Sequence, residues 1–476
     1  MKLRLSRRPV NHLAMQARWN RKIIDSMKYV PVALLCCLQG VAVSAQQPRT
    51  EITKWQDGKL AALSLTYDDS TINQFRIAVP MMNERGLPAT FFVITGEIPG
   101  SKNLPTFVGR SIMDIVRESA IVPTNKTNAL ERSSMLRYLG EIQRVDLVLE
   151  GFKPNSAGAL IEKGQFAMFD AVLAALRRTG ETYAVGAKSY VPVRSQEDAR
   201  PRAAEPGGLT WDEMRLAAKQ GHEIANHLVS HAHTPGLDDA NILYEALKAE
   251  EDIRAQMGDE HTFSIESAYG IHDSRVEKIL TPRFPLTRNW VTDPFMGGIF
   301  RGDRRDPASL TQEYVQWQRG LVSKTPAEER NGWIEKSLAT GTWLVLVIHG
   351  IEGIGYEPVP AADLREYLDY IKAREDRLWV ATFKDAAKYA RERMASNVTI
   401  KQAGNAIEVT VRHSLNPKLY RLPLTAKTTV PNEWGTVRVS QGDMKTTVPV
   451  RREGSTSYVM YRITPNGPAA RIERAN

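Results

Sequence analysis

The chain has 476 residues, 42% hydrophobic and 25% charged, enough for more than one domain with a sizeable core and unlike a disordered or fibrous protein. Its formal charge of +9 is concentrated in residues 1–45, which hold eight Lys or Arg and one acid. The remainder is near neutral and offers no basic stripe for a nucleic acid. Both cysteines, Cys36 and Cys37, lie in that same stretch, so downstream residues have no thiol for a disulfide, a metal site or a nucleophile.

The basic leader runs into the apolar stretch from Val30 to Leu38 and then Val41-Ala42-Val43-Ser44-Ala45. This pattern predicts a signal peptide over 1–45, cleaved after Ala45, and export to the periplasm or the exterior. An uncleaved anchor is the alternative, and Met27 is a more usual start than Met1. No later apolar run is long enough to cross a bilayer, so no stable membrane span is expected after cleavage.

Residues 60–66 read as a short buried strand, 72–85 as a helix stopped by Gly86-Leu87-Pro88, and 89–94 as a second strand. Thr66-Tyr67-Asp68-Asp69-Ser70 therefore sets two carboxylates at the C-terminal end of a strand, where α/β proteins build their sites. Residues of about 100–205 form a long insertion with helical patterns over 135–149 and 166–178, ending in a Pro- and Arg-rich linker. It would serve as a buttress or as a wall over the site. From Trp211 a helix, a Gly221 stop and a strand lead into His227-Leu228-Val229-Ser230-His231. The acid pair and the His-x-x-x-His spacing offer one oxygen and two imidazoles to a divalent ion, with one carboxylate to spare for water. Each half also has a plainer reading, as a helix cap or turn and as two unrelated polar side chains. The run Trp343 to Ile348 is an apolar strand ending in His349, and 378–385 a further strand and helix start. Strands alternating with helices to 395 favour a parallel barrel or a doubly wound sheet. Beyond 397, short alternating segments broken by turn residues predict a small β-sandwich, for packing or for carbohydrate.

These blocks, in this order over roughly 55–395, resemble the motifs of the polysaccharide deacetylase (NodB-homology) family, carbohydrate esterase family four. Residues 66–70 resemble its Thr-Phe-Asp-Asp-Gly motif, 211–231 its second motif region, and 343–350 its last motif. The resemblance implies an incomplete, distorted (β/α) barrel over 52–396 carrying the helical insertion, followed by a β-rich domain over 397–476. It implies that Asp69, His227 and His231 hold one divalent ion, Zn²⁺ foremost with Co²⁺ or Ni²⁺ as alternatives. Asp68 is then the general base, His349 the acid, and a backbone N–H near Tyr269 the oxyanion donor.

Four departures bear on the site. Ser70 replaces the glycine after the acid pair, and Leu228 replaces a Ser or Thr. Glu266 stands where the third motif has the arginine that orients the base, and Arg288-Asn289-Trp290 where the fourth has Asp before Trp. Arg288 is therefore the candidate for restoring the missing charge. The substrate implied is an acetylated polysaccharide or oligosaccharide, N- or O-linked. The alternatives are hydrolysis of a non-peptide C–N bond in a small amide, and a non-catalytic carbohydrate-binding protein on the same scaffold. His222, His233, His261, His272 and His413 are expected to be structural or superficial.

Overall fold

The computed structural model describes residues 47–142, 152–179, 183–186, 189–192, 208–270, 273–288 and 316–475. The expected signal peptide, most of the linker before 208, His272 and Asn289-Trp290 lie outside the described residues.

Eight strands form one sheet: β1 Ala61–Tyr67, β2 Ala89–Val93, β3 Glu223–Asn226, β4 Ser264–Ile265, β5 Leu286–Thr287, β6 Gln316–Leu321, β7 Trp343–Ile348 and β8 Leu378–Val380. Their order is β5-β4-β3-β2-β1-β7-β6, and β8 also pairs with β1. Every pairing is parallel. β1 meets β2 only at residues 65–67 and β8 only at 61–63, so two strands share one edge and splay apart, leaving an incomplete barrel.

β1 is buried on both faces, as a parallel strand covered by helices requires, and its alternation sorts two cores. Leu63, Leu65 and Tyr67 join Phe91, Val93 and the covering helices, whereas Ala62 points inward with Phe92, Trp343, Val345 and Phe383. Small side chains suit the inner face, where Ser64 accepts a hydrogen bond from the Trp343 indole at 3.0 Å. The single helix expected over 72–85 is instead a wide π turn, Gln74–Ala78, followed by an α-helix, Val79–Asn83. Pro80 near its start has no N–H to give the preceding turn.

The insertion has a core of its own. Helices Ile112–Glu118, Ala129–Arg137, Ala157–Glu162 and Ala167–Thr179 pack around Ile115, Leu136, Leu139, Phe152, Phe169 and Leu173. Each such side chain contributes about 1.5–3 kcal/mol when fully buried. The helix expected over 135–149 begins earlier, at Ala129, and continues as a π turn to Ile142.

After the last barrel helix, Phe383–Ala395, the chain turns to antiparallel sheet. Strands Asn397–Ala403, Ala406–Arg412, Ala470–Arg474, Thr436–Gln441 and Met444–Pro449 form one sheet, and Leu424–Val430, Thr456–Ile463 and Arg451–Glu453 belong to another. Val409, Leu424, Val437, Val459 and Ile472 pack between them. The N-terminal strand Thr50–Ile52 pairs with Leu424–Val430, so residues from before the barrel complete the C-terminal sheet. The Tyr389 hydroxyl, on the last barrel helix, donates to the Thr53 carbonyl at 2.9 Å and ties helix to sandwich. Among the described residues no helix is long and apolar enough to cross a membrane.

Candidate metal centre and its base

Register brings the site together. Tyr67 pairs with Ile348, Asn226 with Ile265, and Ile265 with Thr287, so the next residues, Asp68, His349, His227, Glu266 and Arg288, all stand one step past the last paired rung. Backbone bonds hold this step in line: Asp68 N to Ile348 O at 2.9 Å, His227 N to Val93 O at 3.0 Å, Glu266 N to Asn226 O at 2.9 Å and Arg288 N to Ile265 O at 3.0 Å. Residues more than 280 positions apart thus meet at the C-terminal rim of a parallel sheet.

Asp69, His227 and His231 converge there. The imidazole Nε2 atoms of His227 and His231 lie 3.5 Å and 3.2 Å from Asp69 Oδ1, and the three ligand atoms fall within 4.8 Å of one another. Among the described residues this is the group of His, Cys, Asp or Glu able to hold an ion. Its donor chemistry fits one. His227 Nδ1 lies 3.0 Å from the Glu266 carbonyl; donating its proton there leaves the Nε2 lone pair facing inward. Asp69 Oδ1 is buried with no hydrogen bond aimed at it, an orphan that a cation would satisfy. Burial opposes ionisation of Asp69, but the two histidine side chains beside it outweigh that and hold the carboxyl far below the usual range.

Asp68 stands beside this group and is fully buried. Its Oδ2 receives Arg288 Nη2 at 2.5 Å and lies 3.5 Å from His349 Nε2, while Oδ1 has no partner among the described residues. Arg288 also donates to Thr66 Oγ1 at 2.6 Å, stacks over Phe92 at 4.5 Å, and has its Nε 3.4 Å from Glu266 Oε2. Thr66 and Asp68, two apart in the chain, face the same side and so share one guanidinium. Burial opposes ionisation of Asp68, yet the charges of Arg288, His227 and His349 bring its carboxyl down to about 2. The arginine missing from the third motif is thus matched by Arg288, one strand along the sheet. Glu266, at the motif's arginine position, faces Arg288 with its carboxylate and His227 with its carbonyl.

The backbone around the ion site is unusual. Asp69, Ser70, Leu228, His231 and Tyr269 all have positive φ, between 49° and 73°, a conformation non-glycine residues adopt mainly where surroundings enforce it. Ser70 has a compensation: its hydroxyl accepts from the Ile94 N–H at 3.1 Å. The insertion holds the histidine loop, since Arg137 donates to the Ser230 carbonyl at 2.9 Å and to its hydroxyl at 3.2 Å. Glu245 accepts from the Ser230 N–H at 2.8 Å. On the opposite flank Gln74 Nε2 reaches the carbonyls of Asp68 and His349 at 2.5 and 2.6 Å.

Tyr269 packs its ring 4.6 Å from that of His231. Of the other histidines, His222 accepts from the Ala89 N–H at 3.1 Å and His261 from the Ile224 N–H at 3.1 Å, both in structural roles. His413 lies 3.2 Å from Glu392 at the sandwich. Glu266, Gln74 and Arg137 were not among the residues singled out for the site. The motif departure at 266 was a signal for the first, whereas the other two left none.

A sequence profile described as polysaccharide deacetylase matches residues 170–282, under a quarter of the chain, taking in His227, His231 and Tyr269 but not Asp68, Asp69 or His349. A gellan lyase from a Bacillus species is 22% identical over 273 residues, 54% of this chain, and the chain spans only 11% of that protein's length. Among solved structures, a protein assigned as a polysaccharide deacetylase from Mycobacterium smegmatis has 16% identity, covering 74% of this chain and 98% of its own, with a TM-score of 0.35. A family 4 carbohydrate esterase from Bacillus subtilis has 11% identity, covering 70% and 84%, with a TM-score of 0.32. Superpositions this loose carry no argument about chemistry. The profile match falls on the segment bearing both histidines, which the parallel half-barrel carries to Asp69, and so supports a likeness to the polysaccharide deacetylase family.

Proposed function

We propose that the protein is an exported, metal-dependent hydrolase that removes N- or O-linked acetyl groups from a polysaccharide. The observation that carries this reading is the juxtaposition of the Asp69–His227–His231 group with a second, separately held carboxylate, Asp68, whose Oδ1 has no partner among the described residues. Asp69, His227 and His231 would hold the ion, Zn²⁺ foremost, which when bound polarises a carbonyl and acidifies water. Asp68 takes the proton of the attacking water on Oδ1, with Oδ2 fixed by Arg288 so that the carboxylate neither rotates away nor picks up a proton beforehand. The new C–O bond forms at the acetyl carbon, and a backbone N–H near Tyr269 donates to the oxygen as it gains charge. His349, in contact with Asp68, gives a proton to the amine or alcohol as the C–N or C–O bond breaks. The products are acetate and the deacetylated sugar.

The test is acetate release from acetylated xylan, chitooligosaccharides and peptidoglycan by protein stripped of metal and then resupplied with Zn²⁺ or Co²⁺. Release restored by metal on one polymer supports the reading and names its substrate. Silence on all three with metal bound contradicts it.

A further inference from the structure

Two tyrosines flank the site while remaining open to solvent, one on each side. Tyr269, on the metal-ligand side, is 40% exposed with its ring 4.6 Å from that of His231, and its hydroxyl accepts from Asn155 Nδ2 of the insertion at 3.0 Å. Tyr356, on the other side, is 62% exposed with its ring 5.5 Å from that of His349, edge to face. Ile354 beside it is 44% exposed.

The loop that presents Tyr356 is not slack. Gly350 N donates to Tyr356 O at 3.0 Å, Val359 N to Gly350 O at 2.9 Å, Ile351 N to Ile354 O at 2.9 Å and Glu352 N to Val359 O at 2.9 Å. Asn73 Nδ2 pins the Ile351 carbonyl at 3.0 Å. A Cβ at Gly350 would meet Ile354 O at 2.7 Å and Pro358 Cα at 2.8 Å, and one at Gly355 would meet Gly350 Cα at 2.8 Å, so the loop is folded tightly against the residue after His349. Backbone bonds fix the loop, while the two large apolar side chains it carries are turned out to water. A fixed aromatic face held open to solvent loses little entropy when it binds a ring.

We infer that Tyr356, with Ile354 beside it and Tyr269 across the site, forms a stacking platform for pyranose rings next to the one being deacetylated. The C–H face of a sugar covers the apolar side chains, and its hydroxyls stay in water. This rests on the carbohydrate reading above and extends it: the enzyme would grip a chain of sugars rather than one acetylated unit. Asn155 is the insertion's contribution, setting the Tyr269 ring through its hydroxyl.

The test compares wild type, Tyr356→Ala and Tyr356→Phe, metal-loaded, on acetylated mono- and tetrasaccharides of the chitin and xylan types. Binding of the same sugars is measured separately by NMR titration. Because Tyr356 is largely exposed, its truncation leaves the core intact. In wild type kcat/KM rises with chain length. Tyr356→Ala removes roughly five- to tenfold of that gain, mainly through KM, and weakens tetrasaccharide binding by a similar factor, while Tyr356→Phe keeps both. An alanine variant with the full length dependence and an unchanged Kd overturns the platform, as does a wild type that binds no tetrasaccharide. If wild type releases no acetate the deacetylase reading falls, and the titration alone decides whether Tyr356 binds sugar.

Discussion

Replacing Arg288 by Met tests how the Asp68 carboxylate is held. In the native protein one fully buried guanidinium serves two buried carboxylates, with Asp68 Oδ2 at 2.5 Å and Glu266 Oε2 at 3.4 Å. At an effective dielectric of about 20, the closer contact alone is roughly 6–7 kcal/mol of attraction. Most of that is offset by the cost of taking the guanidinium out of water. Deleting the cation, however, leaves both acids buried without their counter-charge, a change that costs about 3–5 kcal/mol. The Asp68 carboxylate also loses what fixes its orientation, so kcat/KM for acetate release should fall by about 10²–10⁴. Arg288→Lys keeps the charge but cannot reach Thr66, Asp68 and Glu266 together, and should lie between. The double variant Arg288→Met/Glu266→Met removes the stranded second acid and should recover at least about 1 kcal/mol relative to additivity. Urea unfolding of the four proteins with the single Glu266→Met completes the cycle, alongside acetate assays. A loss below about 1 kcal/mol for Arg288→Met, with an additive cycle, would refute the shared-guanidinium arrangement.

Two further outcomes follow from groups outside the reaction. Burial pushes the Glu392 carboxyl up to about 7, against the pull of the Leu422 N–H and Lys388. Its folded value exceeds the unfolded 4.5, so its contribution to stability is fully present below that value and is lost as pH rises through about 7. The loss is at most about 3 kcal/mol, and Glu392→Gln should flatten this part of a stability–pH curve; an unchanged slope between pH 5 and 7 would contradict it. Gly350→Ala puts a Cβ 2.7 Å from the Ile354 carbonyl and should cost about 1–3 kcal/mol in thermal unfolding, with reduced turnover because His349 is its neighbour; a neutral variant would show the loop to be adaptable.

Much of this was legible in the sequence because the informative residues are locally clustered. The acid pair follows an apolar strand, the histidines follow another, and His349 ends a third, so strand ends alone brought them to one rim. The alternation of strands and helices pointed to a parallel sheet, and register then set Asp68 beside His349. What local pattern does not encode is which strands are neighbours. Glu266 and Arg288 read as two motif departures, and only the pairing of Asn226 with Ile265 and of Ile265 with Thr287 turns them into one electrostatic unit with Asp68. Gln74 lay inside a stretch expected to be plain helix. Its role depends on the π turn that rotates its amide toward two carbonyls. The strand Thr50–Ile52 was missed for a similar reason: three residues with no alternation acquire meaning only from a partner more than 370 positions away.

The central claim is a division of labour between adjacent carboxylates, Asp69 on the ion and Asp68 on water. Metal-restored acetate release, measured beside metal content in Asp68→Asn, tests it most directly. The account predicts one ion per chain in both proteins, with turnover in the variant down by about 10²–10⁴. An Asp68→Asn protein that loses its metal, or one that keeps near-native turnover, would contradict it.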